Sequence, residues 1–441
     1  MEHEDLNEET NEAAPFQEFD EPEFISPEEA VEVAVDDNDV PMDEDEDIDP
    51  AEDPALGQIE VEDMSKFKID SHNGPVYAVT SFLEEGNLTV VSGGGDDKSF
   101  WHRVGGTSKP LDHAHTDSVT ALATNVGFTD DKTPRMIATG SYDGAICIYD
   151  ADTGAKVRVL EGPTDVEWLA FHPKGGSVLL AGSAADSTVW MYHHDKVLQV
   201  FVGHESAVTA GAFTPDGRWA VSTSADGTVR IWAPRTGASK HVFRWEAGLT
   251  CLEVDGGVDG QLLLAGGEDG VAHVCHVGSK KEVATLRHYE VPSSIPEEEA
   301  MALPMSVEAV GFAPKAVNPN WVATGGMDGV LKIWDLTNDG QCRQVCQPIG
   351  ENQGITRLRW HASMPIVFTA TTSGAIHIWD ARNGAHLHSL TGNQTVVNDM
   401  DVKFPADGRA VVVVSAGDDN SIRIFEVDVV ALLASPVLPT S

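Results

Sequence analysis

The 441-residue sequence lacks the segments that would place a protein in a membrane or outside the cell. It contains no run of 18 or more apolar residues, and its N-terminus has no basic stretch followed by an apolar one. Cysteine is scarce as well. The five cysteines are odd in number and scattered, a pattern that disfavours a disulfide framework and suits reduced thiols. We therefore expect a cytoplasmic protein, with the nucleus as the alternative compartment.

Motifs for catalysis and for metal binding are also missing. The sequence has neither a Gly-x-x-x-x-Gly-Lys-Ser/Thr phosphate loop nor a Gly-x-Ser-x-Gly elbow. The pair His193-His194 and the group of His273, Cys275 and His276 lack a second ligand pair at the spacing that structural zinc requires. We therefore expect a non-enzymatic, monomeric protein that holds no metal or cofactor.

Basic residues are absent from the first 63 positions, which hold 27 acidic ones. The other 378 residues hold 44 acidic and 28 basic residues, so they too carry a net negative charge, −16 of the total −43. We predict a disordered acidic tail at residues 1–64, because a segment of such charge cannot bury an apolar face. Its Phe16, Phe19 and Phe24 are either incidental or part of a short docking motif. Nucleic acid is a poor partner for such a protein, whereas a strongly basic protein is a good one.

What the sequence does contain is a recurring turn, clearest at Ser222–Trp232. An acidic residue or Ser is followed six positions later by the residue that ends an apolar run. The eight copies are Asp96/His102, Asp143/Tyr149, Asp186/Tyr192, Asp226/Trp232, Asp269/Cys275, Asp328/Trp334, Ser373/Trp379 and Asp419/Phe425. Successive copies lie 40 to 59 residues apart, and a period in the forties with four short strands per unit is typical of propeller blades.

The repeats predict an all-β, eight-bladed propeller over residues 65–428, followed by a short C-terminal tail at 429–441. A propeller has no free edge only if its two ends interlock. We therefore expect the strand at residues 66–69 to complete the blade formed by the last repeat.

The repeats resemble WD repeats. Trp334-Asp335 and Trp379-Asp380 match the pair that gives the family its name, and Gly203-His204 matches the partner signature. The resemblance implies a buried hydrogen-bonded set in which a His, a strand Ser or Thr, a turn Asp and a Trp satisfy one another. The sequence offers a complete set only in the fourth repeat, as His204, Ser222, Asp226 and Trp232.

A more specific resemblance is to the angio-associated migratory cell protein family. It rests on the acidic N-terminal segment and on three stretches of the repeats, which are residues 95–100, 165–183 and 306–312. In the first repeat the chain departs from the pattern, since Trp101 falls one position early and His102 takes the aromatic position. Fungal members of the family are dedicated chaperones of a large-subunit ribosomal protein, L sixteen in universal naming and L ten in eukaryotes. The resemblance implies that this chain shields the basic N-terminal segment of that protein and supports assembly of the large ribosomal subunit.

Acidic residues also mark a candidate site. Aligning the repeats by the innermost strand places seven residues in one column at the strand starts, namely Tyr77, Thr120, Glu167, Thr209, Thr250, Glu308 and Thr356. Further acids lie just upstream of this column or beside the turn acid. We predict an acidic client-binding mouth formed by Asp97, Asp117, Asp165, Glu167, Glu205, Glu268, Glu308 and Asp418. No Lys or Arg occupies these positions, so we expect an uncompensated ring of carboxylates that suits Lys and Arg side chains.

Two other functions stay open at this point. Trp379-Asp380-Ala381-Arg382 resembles the Trp-Asp-x-Arg box with which substrate receptors dock on cullin-four ubiquitin-ligase adaptors, although propellers also use this tetrapeptide structurally. A general signalling scaffold is the second alternative, and only the fold supports it.

Overall fold

The computed structural model describes residues 62–84, 86–112, 115–126, 134–174, 176–255, 261–289, 305–350, 353–405 and 410–434. The predicted disordered tail lies almost entirely outside these ranges. Within them, no helix is long and apolar enough to cross a membrane.

The described residues form eight four-stranded antiparallel sheets, which confirms the predicted eight-bladed propeller. Blades 1 to 4 comprise β2 (Val76–Glu84), β3 (Asn87–Gly94), β4 (Ser99–Arg103) and β5 (Ser108–Pro110); β6 (Val119–Thr124), β7 (Met136–Ser141), β8 (Ala145–Asp150) and β9 (Lys156–Glu161); β10 (Trp168–Phe171), β11 (Val178–Gly182), β12 (Thr188–His193) and β13 (Lys196–Val202); and β14 (Val208–Phe213), β15 (Ala220–Ser224), β16 (Thr228–Trp232) and β17 (Ser239–Arg244).

Blades 5 to 8 comprise β18 (Leu249–Val254), β19 (Leu262–Gly267), β20 (Val271–His276) and β21 (Lys281–Arg287); β22 (Val307–Phe312), β23 (Trp321–Gly326), β24 (Leu331–Asp335) and β25 (Gln341–Cys346); β26 (Ile355–Trp360), β27 (Ile366–Thr371), β28 (Ile376–Asp380) and β29 (Ala385–Leu390); and β30 (Val397–Lys403), β31 (Ala410–Gly417), β32 (Ile422–Asp428) and β1 (Phe67–Ile69). A short 3-10 helix follows β24 at Leu336–Asn338, and helix α1 (Val429–Ala434) follows β32.

Blades are held together by apolar contacts between their faces. The described core consists of eight clusters, and each cluster combines side chains from two successive blades. Phe201 and Trp232, for example, bring blades 3 and 4 together, with ring centroids 5.4 Å apart. The second strand of a blade is therefore buried on both faces, as β15 is throughout.

The predicted hydrogen-bonded set is present in blade 4. His204 Nε2 lies 2.7 Å from Ser222 Oγ and its Nδ1 lies 3.2 Å from an Asp226 oxygen, while Trp232 Nε1 donates to Ser222 Oγ at 2.8 Å. Burial lowers the pKa of His204 to about 4, although Asp226 opposes this shift. Burial acts to raise the pKa of Asp226, but hydrogen bonds from Thr228, the Glu205 backbone and His204 outweigh it and the pKa is lowered.

The expectation that only blade 4 has a complete set is wrong, because blade 6 has one too. His288 contacts Thr324 Oγ1 at 2.7 Å and Asp328 Oδ1 at 3.3 Å, and Trp334 Nε1 donates to Thr324 Oγ1 at 2.8 Å. In blades 1, 2 and 4 the His comes four residues before the innermost strand, as His72, His115 and His204. Here the stretch 289–306 separates His288 from its blade, so no short-range pattern reveals it.

The departure in the first repeat has a structural explanation. Ser92 Oγ lies 2.8 Å from His72 Nε2 and 3.2 Å from His102 Nε2, so His102 takes the place of the Trp in this blade's polar set. Trp101 instead packs between blades, and its Nε1 donates to the Ala151 carbonyl at 3.0 Å.

The chain ends interlock as predicted. Strand β1 pairs with β32, with Phe67 opposite Ile424 and Ile69 opposite Ile422, and so forms the outer strand of blade 8. Contacts begin before β1, since Met64 N donates to the Thr391 carbonyl at 2.9 Å and Arg423 Nε donates to Asp63 at 3.1 Å.

We predict that a protein beginning at Gly74 will melt at least about 5 °C below one beginning at Glu62. The shorter protein leaves β32 with a free edge, uncovers the apolar cluster that Ile69 covers, and removes Asp63 from the buried Arg423. Such losses amount to a few kcal/mol of folding free energy. In a protein of moderate size each kcal/mol lowers the melting temperature by about 2–4 °C. Calorimetry on both proteins measures the shift, and equal midpoints would contradict this role of β1.

A second prediction concerns pH. A histidine has a pKa of 6.5 when unfolded, against about 4 for folded His204. Between these values the unfolded state binds more protons, so this residue makes the protein less stable as the pH falls from 6.5 toward 4. His204→Gln should cost about 1–3 kcal/mol at pH 7 because Ser222 and Asp226 lose their partner. At pH 4.5 the unmodified protein has lost the stability that depends on a neutral His204. The difference in unfolding free energy between it and the variant should therefore be about 2 kcal/mol smaller than at pH 7.

Urea unfolding at both pH values measures this difference. His193→Gln is the matched control, because His193 is exposed and has no such buried partner. If His204→Gln and the unmodified protein differ in unfolding free energy by the same amount at pH 7 and at pH 4.5, His204 is not held neutral in the folded protein.

Candidate functional site

The antiparallel strands define two ends of the propeller. The turn between the second and third strands of each blade lies at the same end as the connection to the next blade. We call this end the upper face, and the end with the other turns the lower face. All eight residues of the predicted acidic mouth belong to the upper face.

The two faces differ in charge. Among the described turn and connection residues of the upper face, Lys98 is the only Lys or Arg, whereas acids occur in most of these segments. The described turns of the lower face include the basic residues Arg135, Lys174, Arg218, Arg235, Lys280, Lys315 and Arg382. The upper face is therefore the end at which a cationic ligand meets attraction.

The predicted column of strand-start residues surrounds the channel mouth, and a β-bulge sets its geometry. Six of the seven are the extra residue of a bulge in the pairing of the first two strands; these are Tyr77, Thr120, Thr209, Thr250, Glu308 and Thr356. Several reach the adjacent blade. Thr120 Oγ1 donates to the Val166 carbonyl at 2.7 Å, and Thr356 Oγ1 donates to the Val397 carbonyl at 2.6 Å. These hydrogen bonds tie neighbouring blades together around the mouth.

Glu167 and Glu308 are the two carboxylates of this column, and both line the channel. They share the wall of a cavity of about 400 Å³ with Thr209 and Thr250, and they share a second cavity of about 280 Å³ nearer the blade 3 to blade 4 connection. Burial raises the pKa of Glu167, as does nearby Asp165. Two carboxylates in a partly desolvated channel provide a strong site for a guanidinium or ammonium group.

The expectation of an uncompensated ring is wrong, because Arg357 lies in the same cavity as Glu167 and Glu308. Arg357 Nε donates to Asp399 Oδ1 at 3.1 Å, and its charge counteracts the raised pKa of Glu167. The bulge at Thr356 interrupts the alternation of side chains and directs the residue after it to the channel. Alternation counted on the sequence alone does not place this arginine.

Deeper in the channel, Glu253 and Arg359 line the same cavity. Burial raises the pKa of Glu253 to about 7, although Arg359 opposes the shift. Sequence reasoning missed both residues because they lie within strands, away from the turns that define the repeat.

Tyr142 is a further member of the mouth that sequence reasoning missed. Burial, together with the nearby carboxylate of Glu167, raises the pKa of Tyr142 to about 12. The residue directly precedes the turn acid Asp143. Glu268 and Asp418 hold the same position in their blades, so an alignment of the turns without regard to charge would have found it.

The other predicted acids either accept hydrogen bonds from nearby residues or are exposed to solvent. Asp165 accepts hydrogen bonds from Ser183 and from the Ala185 backbone, and Asp418 accepts from Asn398 Nδ2 at 2.6 Å. Asp117 accepts from the adjacent Ser118 backbone, whereas Glu205 and Glu268 are exposed.

Asp97 is one of three non-glycine residues, with Ser187 and Asn420, that hold the left-handed position after the turn acid. Its φ of 62° is left-handed, and glycines hold the equivalent turn position in most blades, such as Gly144 at 78° and Gly227 at 72°. Asp is one of the few side chains that tolerate this conformation. The repeat therefore gains an additional upper-face carboxylate where other blades have none.

The tetrapeptide that resembles a cullin-adaptor box lies on the lower side of blade 7. Arg382 donates to Asp380 through Nε at 2.9 Å and through Nη2 at 2.6 Å, while Trp379 is buried and donates to Thr369. Arg382 thus has an internal partner, although its side chain is 55% exposed.

Comparison with known proteins agrees with this architecture. The family model for the WD domain, G-beta repeat, matches residues 108–150, 195–233, 315–335 and 384–426. Two solved structures share the fold over 83% of this chain. They are Sqt1 of Saccharomyces cerevisiae, with a TM-score of 0.70, 19% identity and 99% of that chain covered, and Sqt1 of Chaetomium thermophilum bound to the N-terminus of the ribosomal protein L10, with a TM-score of 0.68, 20% identity and all of that chain covered.

Sequence identity is higher to one human protein than to these two solved structures. The chain is 33% identical over 378 residues to the angio-associated migratory cell protein of Homo sapiens, an alignment that covers 84% of this chain and 82% of the human one. WD-repeat propellers generally work as non-enzymatic scaffolds for binding other proteins. This chain belongs to the angio-associated migratory cell protein family.

Proposed function

We propose that this protein is a dedicated chaperone that binds the basic N-terminal segment of the large-subunit ribosomal protein called L sixteen in universal naming and L ten in eukaryotes. By holding that segment on its upper face it keeps a polycation away from RNA and from aggregation before assembly into the large subunit. The observation that carries the proposal is the pair Glu167 and Glu308 at the channel mouth, on a face where Lys98 is the only basic residue of the described turns.

The physical basis is differential attraction. A ribosomal protein segment rich in Lys and Arg binds RNA phosphates through the same charges that Glu167 and Glu308 would engage. An acidic face competes for those charges, while the net charge of −43 keeps the chaperone itself off RNA. Arg357 beside the two glutamates gives the channel a mixed pattern of charge. A bound segment must place its cations near the glutamates and away from Arg357, which favours one position of the segment over others.

Similarity to the solved proteins supports the same assignment. The Chaetomium thermophilum Sqt1 structure, whose fold this chain shares, holds the N-terminus of ribosomal protein L10. Family membership makes an equivalent client the first candidate for this chain. Pull-down followed by mass spectrometry separates the alternatives, because a chaperone would yield one basic ribosomal protein in near-equal amount, and a ubiquitin-ligase receptor would yield cullin adaptors.

The N-terminal acidic segment should accelerate client capture without contributing to folding. Deleting residues 1–61 removes acidic charge but keeps Asp63 and Met64, which contact blades 7 and 8. We expect slower association with a basic peptide and a weaker salt dependence of the rate, with an unchanged melting temperature. Stopped-flow mixing at low and physiological salt measures both quantities. Identical association rates at low salt would assign the segment another role.

Glu167→Lys together with Glu308→Lys should abolish client binding while the propeller stays folded. Each close charged pair in a partly desolvated site contributes roughly 1–3 kcal/mol, and each reversal adds repulsion. The combined loss should exceed about a thousandfold in affinity. Isothermal titration with the basic N-terminal peptide of the ribosomal protein measures it.

The matched control reverses Asp43 and Glu44, which changes the net charge of the protein equally. This control should reduce affinity far less, because salt screens the charges of a segment that cannot bury an apolar face. Equal losses in the two double variants would indicate a general electrostatic attraction in place of a defined site, and unchanged affinity in the first would place the site elsewhere on the propeller.

A further inference from the structure

The lower face carries a groove between blades 3 and 4, at the opposite end of the strands from the acidic mouth. Its volume is about 770 Å³. Its walls come from strand ends and turns of both blades, and the large apolar side chains among them are Val178, Met191, Leu198, Phe213 and Trp219. His172 closes one end, where its ring meets the edge of Phe213 at 4.8 Å and its Nε2 donates to the Gly217 carbonyl.

Three cationic side chains, Arg218, Arg235 and Lys240, surround this apolar floor. Arg218 Nε lies 3.5 Å from Asp216, which partly neutralises it. Among the described residues, no carboxylate oxygen lies within 4.0 Å of the cationic groups of Arg235 or Lys240. Nine of the 26 described Lys and Arg residues pair with a carboxylate within this distance, and Arg235 and Lys240 belong to the larger group that does not, so their charges are available to a ligand in the groove.

The equivalent positions at two other junctions do not combine these features. The groove between blades 8 and 1 has a similar volume, about 730 Å³, and an apolar lining with Phe67 and Phe404, but its Lys66 pairs with Glu426 at 2.6 Å. Between blades 2 and 3 the corresponding space is only about 10 Å³. The blade 3 to blade 4 junction thus differs from these two junctions in combining an open apolar floor with free cations at its edge.

The outer strand beside the groove is also unusually apolar. Strand β13 carries three exposed large apolar side chains, more than any other described outer strand, with Val197 46%, Leu198 50% and Val202 72% exposed. Outer strands usually carry charges that discourage association. Leu198 belongs to both features, since it lines the groove from the end of β13.

The acidic upper face does not cancel the local positive charge. The strands of blades 3 and 4 are four to seven residues long, so the two faces lie about 20 Å apart. The screening length at physiological salt is about 8 Å, so the carboxylates of the mouth contribute little at the groove.

We propose that the groove between blades 3 and 4 binds an acidic peptide segment of a partner protein that carries a bulky apolar side chain. The apolar side chain would lie against Leu198, Phe213 and Trp219, and flanking carboxylates would pair with Arg235 and Lys240. This inference is independent of the proposed chaperone function, and it assigns the protein two binding faces of opposite charge preference. Such an arrangement lets one molecule hold a basic client and an acidic partner at once.

Fluorescence anisotropy with the full chain tests the proposal, using a labelled Asp-Glu-Asp-Phe-Glu-Leu-Asp-Glu peptide. A second peptide with Ser in place of Phe and Leu keeps every charge, and a labelled single-stranded oligonucleotide presents negative charge without a peptide. We expect saturable binding of the first peptide, at least about tenfold weaker binding of the Ser peptide, and weaker binding of the oligonucleotide.

Matched variants locate the site. Arg235→Glu with Lys240→Glu should weaken binding of the first peptide at least about tenfold. Lys281→Glu with Lys315→Glu makes the same change in net charge at exposed positions of blades 5 and 6 and should change binding less than about twofold. Leu198→Ser should weaken binding, whereas Val345→Ser, at a similarly exposed position of β25, should not.

Several results would overturn the proposal. These are failure of the first peptide to bind at 1 mM, equal losses in the two charge-reversed variants, equal affinity for the Ser peptide, or preferred binding of the oligonucleotide. Binding of a basic peptide to the upper face, measured in the same variants, should stay unchanged, so loss of the groove and loss of the chaperone site are distinguishable.

Discussion

A four-stranded sheet with apolar side chains on both faces is not stable alone in water, and this constraint governs the whole chain. Each of the eight described apolar clusters joins two successive blades, so every blade depends on both neighbours for its burial. The ring must therefore close, and β1 does this by pairing with β32. At the same seam, Asp401 accepts hydrogen bonds from the Ser81 backbone at 2.7 Å and from its hydroxyl at 2.8 Å, which adds directional contacts to the apolar ones.

The bulge at the start of the innermost strands serves both stability and the site. It directs Thr120 and Thr356 toward backbone carbonyls of the next blade, and it brings Glu308 to the channel mouth in the equivalent place. A blade that carries Glu in this position gives up a hydroxyl contact and gains a charge beside the cavity. The proposed site thus depends on a few substitutions at the starts of the innermost strands, where the fold supplies the bulge in blades 1, 2 and 4 to 8 and Glu167 of blade 3 holds the equivalent place without it.

The two faces of the propeller differ in the charges that their turns carry. Upper-face turns carry carboxylates that cap backbone groups, as Asp165 and Asp226 do, and the same carboxylates add to the negative field at the mouth. Basic residues are concentrated in the lower turns, where Arg235 and Lys240 border an apolar groove. Because the strands between the faces are longer than the screening length, the charges of one face contribute little to the electrostatic potential at the other.

The eight-bladed fold, the interlocking ends, the polar set of His204 and the column containing Glu167 and Glu308 could all be predicted from the sequence, because each depends on short-range periodicity that repeats eight times. Tertiary structure decided the rest. His288 joins its blade across an insertion, Arg357 reaches the channel because a bulge shifts the alternation of side chains, and the groove beside Leu198 depends on how blades 3 and 4 meet. A sequence records which residues follow one another within a strand, whereas these features depend on distances between strands of different blades, which only the packed ring determines.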